Sequence, residues 1–140
     1  MVTAAERGTD EKTMMKAVFT TAVPYADDAL NLPVQDLDTA VAYYEKTFAF
    51  RVVSRHDGPN RSVILERDRI QIGLAENGGD PSQEGCFFEV DNVKAAFEEI
   101  KRVPPTESDF RLDEFDGVPY RVFFEVAPDG LCYMLGERQE

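Results

Sequence analysis

The stretch Asp36-Leu37-Asp38-Thr39-Ala40-Val41-Ala42-Tyr43-Tyr44-Glu45-Lys46-Thr47-Phe48-Ala49-Phe50, DLDTAVAYYEKTFAF, reads as one short helix running into a strand. Asp36 is placed as the helix N-cap, because a short carboxylate there accepts hydrogen bonds from the first free backbone N–H groups. Leu37, Ala40, Val41, Tyr44 and Phe48 then fall on one helical stripe, which must pack on a sheet. Upstream, Ala29-Leu30-Asn31-Leu32-Pro33-Val34 alternates as a strand, with Leu30, Leu32 and Val34 on one face and Ala29, Asn31 and Pro33 on the other. Pro33 marks an edge or a strand end, since it cannot donate to a ladder. Downstream, Phe50–Val53, Ser62–Leu65 and Ile70–Leu74 supply three more strands, separated by the turn-rich residues 56–60 and 67–69.

A looser copy of this pattern follows the linker Glu76-Asn77-Gly78-Gly79-Asp80-Pro81-Ser82. Leu32 and Phe88, Val34 and Val90, Leu37 and Val93, Ala40 and Ala96, Val41 and Phe97, and Tyr44 and Ile100 are each separated by 56 positions. Ile70-Gln71-Ile72 and Tyr133-Met134-Leu135 are separated by 63, so the second copy carries seven further residues, placed in the polar loop Val103–Asp109. Phe110–Leu112, Tyr120–Phe124 and Leu131–Leu135 complete its strands. The expected fold is α+β, two tandem βαβββ modules whose sheets form a cup. Module one spans about 29–75, the linker 76–84 and module two about 85–136, within a single domain of residues 17–140. Residues 1–16 lack periodicity and read as a mobile leader, after which Ala17-Val18-Phe19 can add an edge strand.

A composition of 43% hydrophobic and 30% charged residues is that of a globular chain able to bury a core. No apolar run approaches the roughly 18 residues that cross a bilayer, and the first residues lack the apolar centre of a signal peptide, so the reading is cytoplasmic with no membrane partner. A net charge of −12 argues against nucleic acid as a partner and suits either solubility or a cationic ligand. Cys86 and Cys132 sit in separate apolar runs and read as free thiols. His56, the only histidine, falls in a turn without a partner.

These residues resemble the vicinal oxygen chelate superfamily, which includes glyoxalase I, extradiol dioxygenases and bleomycin resistance proteins, most nearly the last. The carriers are Pro33-Val34-Gln35-Asp36-Leu37, the Tyr43-Tyr44 pair followed by Phe48-Ala49-Phe50, the strand end Phe88-Glu89-Val90-Asp91, and Ala127-Pro128-Asp129-Gly130. The resemblance implies the glyoxalase-like cup and a homodimer. It also implies metal-ligand positions on the first and last strand of each module, which here read Ala29, Gln71, Gly85 and Met134. One amide among them cannot supply the three N or O ligands of a catalytic site, so neither a metal nor another cofactor is expected.

The expectation is therefore a non-catalytic protein that binds and sequesters a small cationic, aromatic molecule. The alternative is a metal-dependent lyase or dioxygenase with a relocated metal. Strand parity and the resemblance assign Asn31, Gln71, Phe87, Glu89, Arg121, Phe123 and Met134 to the cup, with Phe115 and Tyr120 as further stacking rings. The same spacing also suits core packing for Phe87, Phe123 and Met134, and an ion pair between Glu89 and Arg121.

Overall fold

The structure, a computed structural model, describes residues 17–25 and 28–139. The leader assigned to residues 1–16 lies outside them. In chain order the elements are β1 (Phe19–Pro24), β2 (Leu32–Pro33), α1 (Leu37–Thr47), β3 (Arg51–His56), β4 (Ser62–Arg67), β5 (Ile70–Ala75), β6 (Gly85–Val90), α2 (Val93–Lys101), β7 (Arg111–Phe115), β8 (Val118–Val126) and β9 (Cys132–Arg138). Single 3-10 turns stand at Pro81–Gln83 and Glu107–Asp109, the latter inside the loop where the seven further residues were placed.

The duplication read from the sequence is what the sheets display. β2-β5-β4-β3 form one sheet and β6-β9-β8-β7 the other, each with its first strand parallel to its last. β1 extends the second sheet by pairing antiparallel with β6, so the strand begun at Phe19 belongs to the edge of module two. The first strand of module one is shorter than the alternation predicts. Ala29 and Leu30 form a turn that crosses β5, where the Gly73 N–H donates to the Ala29 carbonyl at 2.8 Å. A side chain at Gly73 would collide with the Leu30 backbone, so this crossing requires glycine.

The helices begin as their sequences dictate. Asp36 accepts from the Thr39 N–H and Asn92 from the Ala95 N–H, each satisfying an orphan donor of the first turn. Leu37, Ala40, Val41 and Tyr44 are buried along α1, as are Val93, Ala96, Phe97 and Ile100 along α2. Both stripes meet the inner faces of the two sheets in one core.

Its centre is aromatic. Phe19, Tyr44, Phe48, Phe50, Phe88 and Tyr133 are each at most 3% exposed, with Phe88 stacked on Tyr133 at 5.0 Å and Phe48 edge-on to both. The Tyr44 and Tyr133 hydroxyls bond to one another, which removes the cost of burying either alone.

Arg67 is the buried cation of this core. Its guanidinium grips both oxygens of Glu99 (2.7 and 3.0 Å), the Phe48 carbonyl, the Ala17 carbonyl and the Asp68 carboxylate, and lies 4.2 Å from the centre of the Phe19 ring. One side chain thus ties module one, the second helix and the segment entering β1.

Candidate ligand-binding face

Each sheet has a second face, turned away from the helices. On the large sheet the ladder register brings Val23, Phe87, Glu89, Met134, Arg138, Tyr120, Val122, Phe124, Arg111 and Phe115 to that side. Phe87, Tyr120, Val122 and Met134 form a small second core there, flanked by Val23, Phe115 and Val118. The hairpin turn Asp116-Gly117, with both residues at positive φ, returns the chain so that Phe115 stacks on Phe87 at 4.5 Å and 23°. Tyr120 meets Phe87 edge-on at 4.8 Å.

Glu89 stands at the rim of this aromatic group. Its carboxylate receives the Tyr120 hydroxyl at 3.4 Å and pairs with Arg138 at 3.6 Å, while the Arg138 guanidinium lies 5.8 Å from the centre of the Tyr120 ring. Burial, with the Glu89 charge beside it, raises the Tyr120 hydroxyl above its ordinary value. A ring, a carboxylate and a flat cation are therefore already assembled here by the chain itself. Phe124 and Val126, on the same face, are 37% and 59% exposed and continue the apolar surface toward the solvent.

Five of the nine residues assigned from the sequence come together on this face: Phe87, Glu89, Phe115, Tyr120 and Met134. Arg121 and Phe123 do not. On β8 the residues opposite Met134 and Gly136 are Phe124 and Val122, whereas Phe123 stands opposite Leu135. The parity assigned to Arg121 and Phe123 is thus reversed. Phe123 packs between Phe97 and Phe110 on the helix side, and Arg121 lies over Phe110 and pairs with Glu107 rather than with Glu89. Asn31 is exposed beyond β2 and accepts from the Asn77 amide, and Gln71 is exposed on the outer face of β5. Arg138 lies beyond the Leu131–Leu135 strand that the sequence predicts; it shares the parity of Met134 because β9 continues through Gly136 and Glu137.

The four positions that the resemblance assigns to metal ligands do not fit a metal. Ala29, Gly85 and Met134 contribute no N or O side-chain donor. A Cβ at Gly85 would run into the Cys132 carbonyl and the Tyr25 ring, so the position has no room for a ligand of any kind. Among the described residues no group of three His, Cys, Asp or Glu side chains converges on a point.

The two thiols are free. Burial pushes Cys86 up to about 12, and burial raises Cys132 against the opposing hydrogen bond from the Tyr25 hydroxyl. Burial likewise holds the Tyr44 and Tyr133 hydroxyls well above their ordinary value. All four groups have folded values above unfolded ones, so the stability they contribute is complete below about pH 9 and is lost as pH rises toward 12, where the unfolded chain ionises first. The melting temperature is expected to fall steadily above pH 9, less steeply in Cys86→Ala. A profile flat to pH 11 contradicts this.

Residues 27–103 match the family model described as the Glyoxalase/Bleomycin resistance protein/Dioxygenase superfamily. The chain belongs to that superfamily. Among solved structures, this superfamily member is similar to the bleomycin resistance determinant encoded on the transposon Tn5, at 25% identity over 82% of this chain and 100% of the other, with a TM-score of 0.56. It is also similar to a protein from the mobile metagenome of V. Pseudocholerae (21% identity, 82% and 95% covered, TM-score 0.63). Glyoxalase I from Zea mays shares its fold at 17% identity, the chain spanning 47% of that protein with a TM-score of 0.51. No curated protein sequence matches the chain. No helix among the described residues is long and apolar enough to cross a membrane.

Proposed function

We propose that this superfamily member binds and sequesters a flat, cationic small molecule without turning it over, and in doing so confers resistance in the manner suggested by its likeness to the Tn5 bleomycin resistance determinant. The supporting observation is the Glu89–Tyr120 rim, where a guanidinium already rests near an aromatic ring and a carboxylate. A cationic heteroaromatic ligand would exchange with Arg138 there and extend over Phe115 and Phe124. The net charge of −12 would draw such a ligand in from a distance.

Phe87, Tyr120 and Met134 are almost fully covered within one chain, so a single copy offers only the rim and the exposed Phe124 and Val126. A second copy facing this surface would complete the groove, and a cytoplasmic homodimer is the assembly we assign. Asn31 and Gln71, exposed on the module-one side, are then candidates for the polar wall contributed across the groove.

Calorimetric titration with bleomycin at two salt concentrations tests the reading. Saturation near one drug per chain, weakening with salt, is expected, with Glu89→Gln binding about ten-fold more weakly, roughly 1.4 kcal/mol. Sedimentation of the same sample should give a dimer. An absence of heat at either salt removes the drug assignment. Stoichiometric bound Zn, Ni, Mn or Fe would instead favour the rival reading, a metal-dependent lyase or dioxygenase with relocated ligands.

A further inference from the structure

Across the large sheet from the aromatic face lies a second opening. On that side α2 packs against β8 and β9, while Leu112 of β7 is left 73% exposed. Between them is a cavity of about 330 Å3 lined by Glu107, Phe110, Arg111, Leu112, Arg121 and Gln139. Arg121 and Leu112 are cross-strand partners, so the guanidinium and the isobutyl group project side by side. Arg121 lies 5.0 Å from the centre of the Phe110 ring, and that ring is braced by Phe97 and Phe123.

Two carboxylates compete for Arg121, and they differ. Glu137, opposite it on β9, is engaged by the Val93 N–H at the start of α2. Glu107 is the partner Arg121 bonds, through a single guanidinium nitrogen, and its side chain is 80% exposed with only Lys94, at 3.6 Å, as a second cation. An ion pair so exposed contributes little, and a guanidinium fork is built to hold both oxygens of a carboxylate at once.

We propose that this cavity binds a small organic carboxylate with a flat apolar body, and that Glu107 is the internal group it displaces. The ligand's carboxylate takes the Arg121 fork, its body lies along Leu112 and Phe110, and Gln139 borders the mouth. The volume is at the small end of ligand cavities, which limits the occupant to about one ring. Arg111 is the one lining residue it shares with the aromatic face; Arg121, Leu112 and Phe110, which make the contacts, lie on the helix side, and the proposal does not depend on the reading given for that face.

Benzoate is the probe, titrated into uniformly labelled protein and followed by amide and arginine Nε shifts. Saturable shifts are expected at Phe110, Leu112, Arg121 and Gln139 with a Kd on the order of 1 mM. Benzamide, the same ring without the charge, should not saturate them. Glu107→Gln is expected to bind about two- to five-fold more tightly, having lost the competitor. Arg121→Lys should bind about ten-fold more weakly, since a lysine offers a point charge in place of a fork. The proposal is overturned if benzoate leaves these residues unshifted, shifts Glu89 and Phe124 instead, or binds Glu107→Gln no better than the parent.

Discussion

Arg67→Met is expected to cost about 3–5 kcal/mol of folding free energy, as removal of one partner from a buried ion pair does. The Arg67 side chain is 6% exposed and the Glu99 side chain 16%, so the abandoned carboxylate would be left largely out of water. The Phe48 and Ala17 carbonyls would lose their donors in the same step. Urea unfolding measures the loss. The double variant Arg67→Met, Glu99→Leu separates two origins of the cost, because removing the stranded charge should recover part of it. If the single variant unfolds within about 1 kcal/mol of the parent, Arg67 is a surface-like pair after all.

Gly85→Ala should be as severe or worse. Gly85 has φ +153°, in the region that L-residues rarely adopt, and an added Cβ would meet the Cys132 backbone carbonyl across the β6–β9 pairing. Backbone on that side cannot swing away as a side-chain tip can. Strain and overpacking together come to about 4 kcal/mol. Against a typical total of about 5–15 kcal/mol, the variant is expected to be recovered poorly and to melt far lower. A crystal structure of a stable Gly85→Ala protein with β6 and β9 still in register would refute this account.

Much of the fold was legible because the helix stripes and the strand runs repeat at a fixed offset. Leu37 and Val93, or Tyr44 and Ile100, had to fill corresponding places in two packed units. The Ala29–Leu30 turn was not legible. Its cause is a backbone crossing at Gly73, a tertiary contact that leaves no trace in the alternation of Leu30, Leu32 and Val34. Of the residues assigned to the candidate face, some share one side of the large sheet and some do not. Phe87, Glu89 and Met134 follow from the parity of strands whose buried neighbours Phe88, Val90 and Leu135 were unambiguous. On β8 both parities carry large apolar groups, Phe123 on one and Tyr120, Val122 and Phe124 on the other, so alternation could not choose. The pairing of Phe124 with Met134 chooses, and register is information of the folded chain.

The pairing of β1 with β6 also governs the order in which the chain can be assembled. Phe19 meets Val90 and Val23 meets Phe87, partners that emerge from the ribosome long after β1 itself. Until then β1 is an unpaired strand whose Phe19 can reach Phe50 and Arg67 of module one but whose backbone edge is available to any other open edge. The parallel closures of β2 on β5 and β6 on β9 likewise join strands from opposite ends of each module, a topology that folds slowly. A nascent chain ending before Gly85 therefore gives β1 no strand to pair with, and the first half of the protein must wait for the second before either is finished.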